Sequence, residues 1–261
     1  MPLYEATGRV PIHGSPLDFS DNLVLFSLGD AANVTLDGSN RVQQWNDLSG
    51  NNAHWIQTDP NLRPNRTSAG FNGKFGVVVS NATGSFMQAS PTIALGNNQH
   101  TIITAARATA TQPSAYQGIV CIGGGSGSLQ SSAIGADSSQ RLWFAGPGFG
   151  FPAFDVVVAS TIYVLGKRSR NIGLNGTDQS FIDNKDKGVF QQTAGIGYSI
   201  SPANSAYLGK YFSGSTVGFW SIGMVAIWTR LLSDAEMRSV FSWIKQFYSL
   251  TTYVGNERVA A

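Results

Sequence analysis

The sequence predicts an all-β chain, an antiparallel sandwich or barrel closed by one amphipathic α-helix near the C-terminus. Short runs of β-branched and apolar residues recur along the chain, separated by Gly, Asn, Asp and Pro turns. No alternation of strands with helix-length segments occurs, which argues against a parallel sheet with crossover helices. A single stretch, residues 233–248, changes to helical spacing.

The length permits one large β-domain or two small ones, and the composition argues against several classes of partner. The chain has 261 residues, of which 42% are hydrophobic and 12% charged, and its net charge is +2. Without a basic run, no nucleic-acid partner is expected. No apolar run approaches the ~20 residues that span a bilayer, so no membrane insertion is expected. The N-terminus lacks the charged and apolar regions of a signal peptide, which favours synthesis in a host cytoplasm.

The chain divides into three predicted parts. Residues 1–20 contain Pro2, Pro11, Gly14 and Pro16 without a clear period, and predict an extended N-terminal arm. Residues 21–250 form the domain, and residues 251–261 form a C-terminal tail. The strands expected in the domain are 23–28, 42–45, 55–57, 76–80, 86–89, 101–106, 118–122, 132–134, 141–144, 156–158, 162–166, 172–176, 196–198, 206–209 and 218–228.

Three polar or reactive features are interpreted as structural. Cys121 lies in an apolar strand-like run, and we expect it to be buried and to pack as a small hydrophobic side chain. The Lys167–Arg170 cluster predicts an exposed edge or turn. Asp178, Asp183 and Asp186 lie among Asn and Gly residues and predict a solvated loop.

The C-terminal helix carries both a start signal and an apolar stripe. Ser233 and Glu236 form a predicted capping box, in which the serine is the N-cap and the glutamate lies three residues later. The stripe that should pack on the sandwich consists of Met237, Val240, Phe241, Ile244, Phe247 and Tyr248.

Three stretches resemble the laminin-G-like jelly rolls of the concanavalin A-like superfamily, and the resemblance covers roughly residues 22–250. The first is the tryptophan and D-x-S-G-N turn of residues 42–53. The second runs from Gly195-Ile196-Gly197 to Lys210. The third and most specific is residues 223–236, in which a strand is followed by R-x-L-S-D-x-E opening a helix. The resemblance implies an antiparallel jelly-roll β-sandwich. At Val225-Ala226 the chain departs from relatives that have an acid there, and it offers no calcium set that matches residue by residue. No cofactor and no metal ligands are therefore assigned, and whether a structural calcium ion is bound stays open at the level of the sequence.

Catalysis is not expected. The superfamily includes glycoside hydrolases, which need two carboxylates flanking the scissile bond. The chain has three glutamates, Glu5 in the arm, Glu236 in the capping box and Glu257 in the tail, and none lies on a predicted sheet face. The three histidines occur in separate segments, and the Gly123–Ser128 run is neither a nucleophile elbow nor a phosphate loop.

The candidate contact residues lie in two places. Phe149, Phe151 and Phe154 occur among glycines and prolines in residues 145–154, where they either form an exposed contact or cap an open end of the sandwich. Trp45 and Trp55 flank the Asp47–Asn52 turn, and either pack in the core, which is favoured, or line a sugar platform. Asp47 and Asn51 would then supply hydrogen bonds to a bound sugar.

Two functions fit these features. The first is a structural virion protein of a bacteriophage, such as a capsid decoration, head-fibre or tail component, that contacts other virion proteins or itself through the arm. The second is a stand-alone lectin-like module that binds carbohydrate, for instance a host-surface glycan. A glycoside hydrolase is the least favoured alternative.

Overall fold

The computed structural model describes residues 14–250, apart from residues 94, 96–98, 113–114, 124–130, 146–152, 171–176, 184, 192–205 and 212–216. Two antiparallel sheets pack face to face, and one helix lies near the C-terminal end. This architecture confirms the predicted antiparallel jelly-roll β-sandwich with a single C-terminal α-helix.

The described residues form 17 strands. In chain order they are β1 (Leu23–Leu28), β2 (Val34–Leu36), β3 (Val42–Trp45), β4 (His54–Ile56), β5 (Asn65–Phe71), β6 (Lys74–Val79), β7 (Met87–Ser90), β8 (His100–Ala108), β9 (Gln117–Gly123), β10 (Ser131–Ala136), β11 (Arg141–Ala145), β12 (Ala153–Val156), β13 (Ile162–Arg170), β14 (Thr177–Ile182), β15 (Lys185–Gln191), β16 (Ala206–Leu208) and β17 (Trp220–Trp228). The first sheet has the order β15-β14-β13-β8-β17-β6-β5, and β1 also pairs with β17. The second sheet has the order β12-β11-β10-β9-β16-β7-β4-β3-β2.

The main hydrophobic core lies between the two sheets. Alternate residues of each strand point into it, as the two-residue period of a strand requires. Large side chains from both sheets fill it, among them Trp45, Trp55 and Phe144 from the second sheet and Trp220 from the first. Each of these four side chains is buried, so the sandwich is closed by aromatic packing as well as by aliphatic residues.

The helix α1 (Asp234–Phe247) covers the outer face of the first sheet. The predicted capping box is confirmed, because Glu236 N–H donates to Ser233 Oγ and Ser233 N–H donates to Glu236 Oε2. The predicted stripe packs with Ile103, Val164, Met224 and Trp228 in a second hydrophobic cluster. Trp243, which the stripe omitted, is also buried there. No helix among the described residues is long and apolar enough to cross a membrane.

The polar segment around Lys167 differs from the prediction of an exposed edge. Lys167 and Ser169 are buried, because they lie on the side of β13 that faces the second sheet. Arg168 and Arg170 alternate to the outer side, where Arg170 is exposed. Asp178 was expected in a solvated loop, yet it lies in β14 and is buried against the Lys167 ammonium.

The described end of the arm contacts the domain. Ser15 and Asp18 cap a short 3₁₀ turn at Pro16–Phe19, and Phe19 packs against the second cluster. The Trp228 indole Nε1 donates to the Phe19 carbonyl at 2.8 Å, which fixes this segment beside the end of β17. Residues 1–13 of the arm and the tail, residues 251–261, lie outside the described residues.

Candidate functional site

The two outer faces of the sandwich are unequal. Helix α1 packs on the first sheet, whereas none of the described helices covers the outer face of the second sheet. That second face is the surface on which side chains of six neighbouring strands, β9, β16, β7, β4, β3 and β2, are brought into register.

One row of side chains crosses this face. Strand pairing aligns Gln44 with Ile56, Ile56 with Gln88, and Gln88 with Tyr207. Laterally paired residues of a sheet point to the same side, and the flanking residues of these strands, such as Trp45 and Met87, point into the core. The row therefore lies on the outer face, with Gln44, Ile56 and Gln88 half-buried and Tyr207 9% exposed.

Phe86 and Lys210 extend the row along one side. The Phe86 ring lies edge-on to Tyr207, with 6.1 Å between ring centroids. Lys210 Nζ lies 4.4 Å from the Phe86 centroid, within the range of a cation–π contact. We refer to Gln44, Ile56, Phe86, Gln88, Tyr207 and Lys210 as the amide–aromatic face.

A second aromatic group lies on the same side, over β9, β10 and β11. Trp143 packs with Cys121, Ala133 and Tyr211, and its indole is 4.9 Å from the Tyr211 ring. Tyr116 meets Trp143 edge-on at 5.9 Å and is 40% exposed. Cys121 is thus a buried small side chain, as the sequence predicted. Through Tyr116 this group presents one aromatic ring to solvent.

The electrostatics of the amide–aromatic face favour neutral or anionic polar ligands. Its six positions carry two amides, one phenol and one ammonium, and no carboxylate. Partial burial lowers the pKa of Lys210, because desolvation disfavours the charged form of an amine. The Gln44 Nε2 donates to Asn46 Oδ1 at 2.8 Å, which holds that amide in place. Such a surface can hydrogen-bond hydroxyl groups and stack on the apolar face of a sugar ring.

Trp45 and Trp55 do not belong to this surface. The structure places both indoles in the core at 0% exposure, and Trp45 Nε1 donates to the Leu28 carbonyl. Neither ring face reaches solvent, so the platform alternative for the two tryptophans is corrected in favour of core packing. The physical reason is the strand period, which turns Gln44 and Ile56 outward when Trp45 and Trp55 point inward.

Asp47 and Asn51 are engaged inside the fold. The two carboxylate oxygens of Asp47 accept from the Phe26, Ser49 and Ala53 backbone N–H groups at 2.9, 2.9 and 3.1 Å and from Ser49 Oγ at 2.8 Å. Asn51 Nδ2 donates to the Leu23 carbonyl at 2.8 Å. These bonds join the turn after β3 to strand β1, which gives both residues a structural role.

The phenylalanine segment is only partly described. Phe154 is half-buried, packs against the main core and meets Phe144 edge-on at 5.6 Å. That contact fits the alternative in which the phenylalanine caps an open end of the sandwich. Phe149 and Phe151 lie outside the described residues, so their contact role stays a prediction.

Sequence reasoning missed the amide–aromatic face. Tyr207 lies in a strand that the sequence did predict, but its three apolar residues give no hint of which side is outward. Gln44 and Gln88 are separated along the chain, and only strand pairing brings them together. Within the described residues, no cluster of three or more His, Cys, Asp or Glu side chains could hold a metal ion.

A shallow cleft lies elsewhere, at the hairpin of β5 and β6. It has a volume of about 280 Å³ and is lined in part by Asp30, Arg66 and Lys74. The Arg66 guanidinium lies 5.0 Å above the Phe75 ring, and the Lys74 ammonium 4.8 Å above the Phe247 ring. Both cations are thereby used in contacts within the fold.

The two antiparallel sheets define a jelly-roll β-sandwich, and solved structures share this fold. No protein-family model matches the chain, and no curated protein matches it in sequence. The binding domain of a paraclostridial mosquitocidal protein is 12% identical with a TM-score of 0.61, over 87% of this chain and 53% of that chain. The botulinum neurotoxin serotype D binding domain is 11% identical with a TM-score of 0.58, over 87% and 52%. A Trypanosoma rangeli sialidase mutant displaying trans-sialidase activity is 13% identical with a TM-score of 0.57, over 87% and 33%.

This chain therefore spans about half of the two toxin binding domains and about a third of the sialidase. At these identities the likeness establishes the shared fold. Function has to be argued from the surface of this chain.

Proposed function

We propose that this chain is a non-enzymatic, lectin-like module that binds a glycan on the amide–aromatic face. The observation that carries the proposal is the row Gln44–Ile56–Gln88–Tyr207, held in register on the face that α1 leaves open. Carbohydrate recognition combines an aromatic surface with hydrogen-bonding groups held rigidly. Phe86 and Tyr207 provide the aromatic surface. The hydrogen-bonding groups are those of Gln44, Gln88 and Lys210.

The chemistry of the face also indicates the class of glycan. Amides donate and accept hydrogen bonds and therefore suit hydroxyl and acetamido groups. The Lys210 amine lies beside the Phe86 ring and adds a hydrogen-bond donor that can carry a positive charge. Such a group suits a carboxylate or a hydroxyl-rich sugar. Two of the similar structures are themselves described as binding domains, which supports a binding role for this fold without identifying a ligand.

The test is a glycan array that includes neutral and acidic glycans, followed by titration calorimetry with the strongest ligand found. Tyr207→Ala and Gln88→Ala should each weaken binding about fivefold, since each removes one stacking or hydrogen-bonding contact worth about 1 kcal/mol. Lys210→Ala should weaken acidic ligands more than neutral ones.

Matched controls lie on the opposite layer of the molecule. Gln246 and Arg238 are exposed on α1, so Gln246→Ala and Arg238→Ala should leave the affinity unchanged. Silence of the folded protein across the array, or equal affinities for the face variants and the wild type, would exclude this face as a glycan site.

The absence of catalysis is part of the proposal. The six residues of the face offer no pair of carboxylates, which most glycoside hydrolases use. A bound oligosaccharide should be recovered intact after long incubation, and release of a shorter or cleaved sugar would contradict the proposal.

The virion role stays a prediction of the sequence, and its test is whether residues 1–18 are needed for assembly into a particle.

A further inference from the structure

A buried polar cluster lies between the sheets, away from the amide–aromatic face. Lys167 is fully buried, and its Nζ lies 2.9 Å from Asp178 Oδ2 and 2.7 Å from Ser132 Oγ. Ser132 Oγ in turn lies 2.6 Å from His100 Nε2. Three of these groups come from the first sheet, and Ser132 comes from β10 of the second sheet. The cluster therefore forms a continuous chain of contacts from a carboxyl group through an amine to an imidazole.

Strand register makes the lysine and the aspartate diagonal neighbours. Lys167 pairs with Ser180, and Ser169 pairs with Asp178, across the antiparallel β13–β14 ladder. A diagonal pair on one face of a sheet is within reach of a long side chain. The close approach of Nζ to the carboxyl group is thus fixed by two hydrogen-bonded strands and does not depend on a loop.

Burial favours the neutral form of the Lys167 amine. The pKa of Lys167 is lowered, because desolvation of its ammonium outweighs the charge and hydrogen bond of Asp178. A proton that passes from the ammonium to the carboxylate leaves a neutral amine beside a carboxylic acid. Two separated charges are costly in such a place. A neutral amine is a nucleophile, and a protonated carboxyl group is an electrophile whose hydroxyl can leave as water.

We propose that Lys167 and Asp178 condense in the folded protein to form an isopeptide bond between Nζ and Cγ. The amine nitrogen of Lys167 attacks Asp178 Cγ, and the carboxyl group becomes a tetrahedral centre. One carboxyl oxygen then leaves with its own proton and one proton from Nζ, so an amide and one water are the products. No oxidant, reductant or co-reactant enters the balance.

Ser132 and His100 are arranged to move the proton. Ser132 Oγ contacts the attacking nitrogen, and His100 Nε2 contacts Ser132 Oγ. A proton released from Nζ can pass through the serine hydroxyl to the imidazole and return to the leaving oxygen. Ser132 thus touches the reacting amine, whereas His100 acts through Ser132 as a positioning residue.

Two buried hydroxyl groups beside the pair are consistent with an amide at this place. Ser169 Oγ and Ser180 Oγ are buried and have no hydrogen-bond partner among the described residues. Ser180 pairs with Lys167 and Ser169 with Asp178, so the two hydroxyls flank the bond. Buried polar groups are normally satisfied, and an amide in the middle would present both a donor and an acceptor to them.

The experiment is intact mass spectrometry of the full chain under denaturing conditions. The wild type should have the mass of its sequence less one water, and a protease digest should contain a branched peptide that joins Lys167 to Asp178. Lys167→Met and Asp178→Ala should have the full sequence mass. As a matched control, Lys187 forms an exposed ion pair with Asp155 at 3.2 Å, and Lys187→Met should retain the loss of water. A wild type with the full sequence mass, both fresh and after prolonged storage in the folded state, would overturn the proposal.

The proton relay has a separate readout. If unfolded chains that still have the full sequence mass are refolded rapidly, the loss of water can be followed in time. His100→Gln, if it refolds to the same circular-dichroism spectrum, should form the bond more slowly, and the dependence of the rate on pH should change. An unchanged rate and an unchanged pH profile in this variant would remove His100 from the relay.

Discussion

Asp47 shows how a single carboxylate can hold two distant segments together. It accepts the Phe26 backbone N–H from β1 and three donors of the turn that follows β3. All but 8% of the residue is buried. Removal of the carboxylate would leave the Phe26 N–H without this acceptor in a buried place, and an unsatisfied buried group is costly.

Asp47→Ala should therefore lower the free energy of unfolding by about 2–3 kcal/mol, the cost of leaving buried donors unsatisfied. Urea denaturation monitored by circular dichroism measures this change. Asp59→Ala is the control, because Asp59 is exposed and its carboxylate caps only a short 3₁₀ turn. If Asp47→Ala kept its stability and instead lost ligand binding, the sequence-based assignment of Asp47 to a sugar site would be the better one.

Individual side chains show where sequence reasoning stops at the residue scale. The sequence identified the D-x-S-G-N turn, but it could not show that the carboxylate of Asp47 accepts from a strand 21 residues away. The burial of Lys167 was missed for the same reason, because its partner Asp178 lies on a strand that the sequence did not predict. Long-range pairs of polar residues leave no local pattern.

At the scale of elements, apolar content decided which strands could be predicted. Strand β1 was predicted with its observed bounds, and β17 and β8 nearly so, because β-branched and apolar residues dominate them. Strands β2, β5, β14 and β15 were missed. Three of these contain several polar residues or glycine, as in Thr177–Ile182, and β2 is only three residues long. Their positions follow from pairing with neighbours that are themselves strongly β-forming.

The start of α1 is fixed by more than its capping box. Glu236 also forms a bidentate pair with Arg230, at 2.8 and 3.1 Å, which ties the helix to the residues that follow β17. The Arg230 guanidinium and the Ser233 donors lower the pKa of Glu236 from 4.5 to about 2. A depressed carboxyl pKa means that the ionised form stabilises the folded protein.

Glu236→Gln should lower the free energy of unfolding by about 1 kcal/mol at neutral pH, a figure kept small because the pair is partly screened by solvent. The stabilisation is complete above the unfolded pKa near 4.5 and is lost as the pH falls through about 2. The difference between wild type and variant, measured by urea denaturation, should therefore shrink steadily below pH 4.5. A constant difference down to pH 2 would show that charge contributes nothing.

At the scale of the whole molecule, the two outer faces of the sandwich differ, because helix α1 packs on the first sheet and no described helix packs on the second. Helix α1 covers an apolar outer surface that includes Phe26, Phe71, Ile103, Met224 and Trp228. The outer face of the second sheet instead carries amides and aromatic rings, with Gln44 and Gln88 half-buried and Tyr207 9% exposed. Helix α1 thus covers one outer face, and no helix among the described residues covers the other. The sequence predicted the first arrangement from the stripe on α1, but the second required the strand register.

The dependence of the sandwich on its helix can be tested by truncation. A chain that ends at residue 232 lacks Met237, Val240, Phe241, Ile244 and Tyr248, all of which are buried against the first sheet. Its outer sheet face would become a contiguous apolar patch, and such patches drive association. The truncated chain should elute as large aggregates in size-exclusion chromatography and bind a hydrophobic dye.

A chain that ends at residue 250 is the control, because it keeps every described contact of α1, including that of Leu250. It should retain the Tm and the elution volume of the full chain. A monomeric, cooperatively folding chain ending at residue 232 would show that the two sheets alone form a stable sandwich. The first sheet would then be stable without helix α1. The absence of a described helix on the second sheet would then no longer support a binding site there.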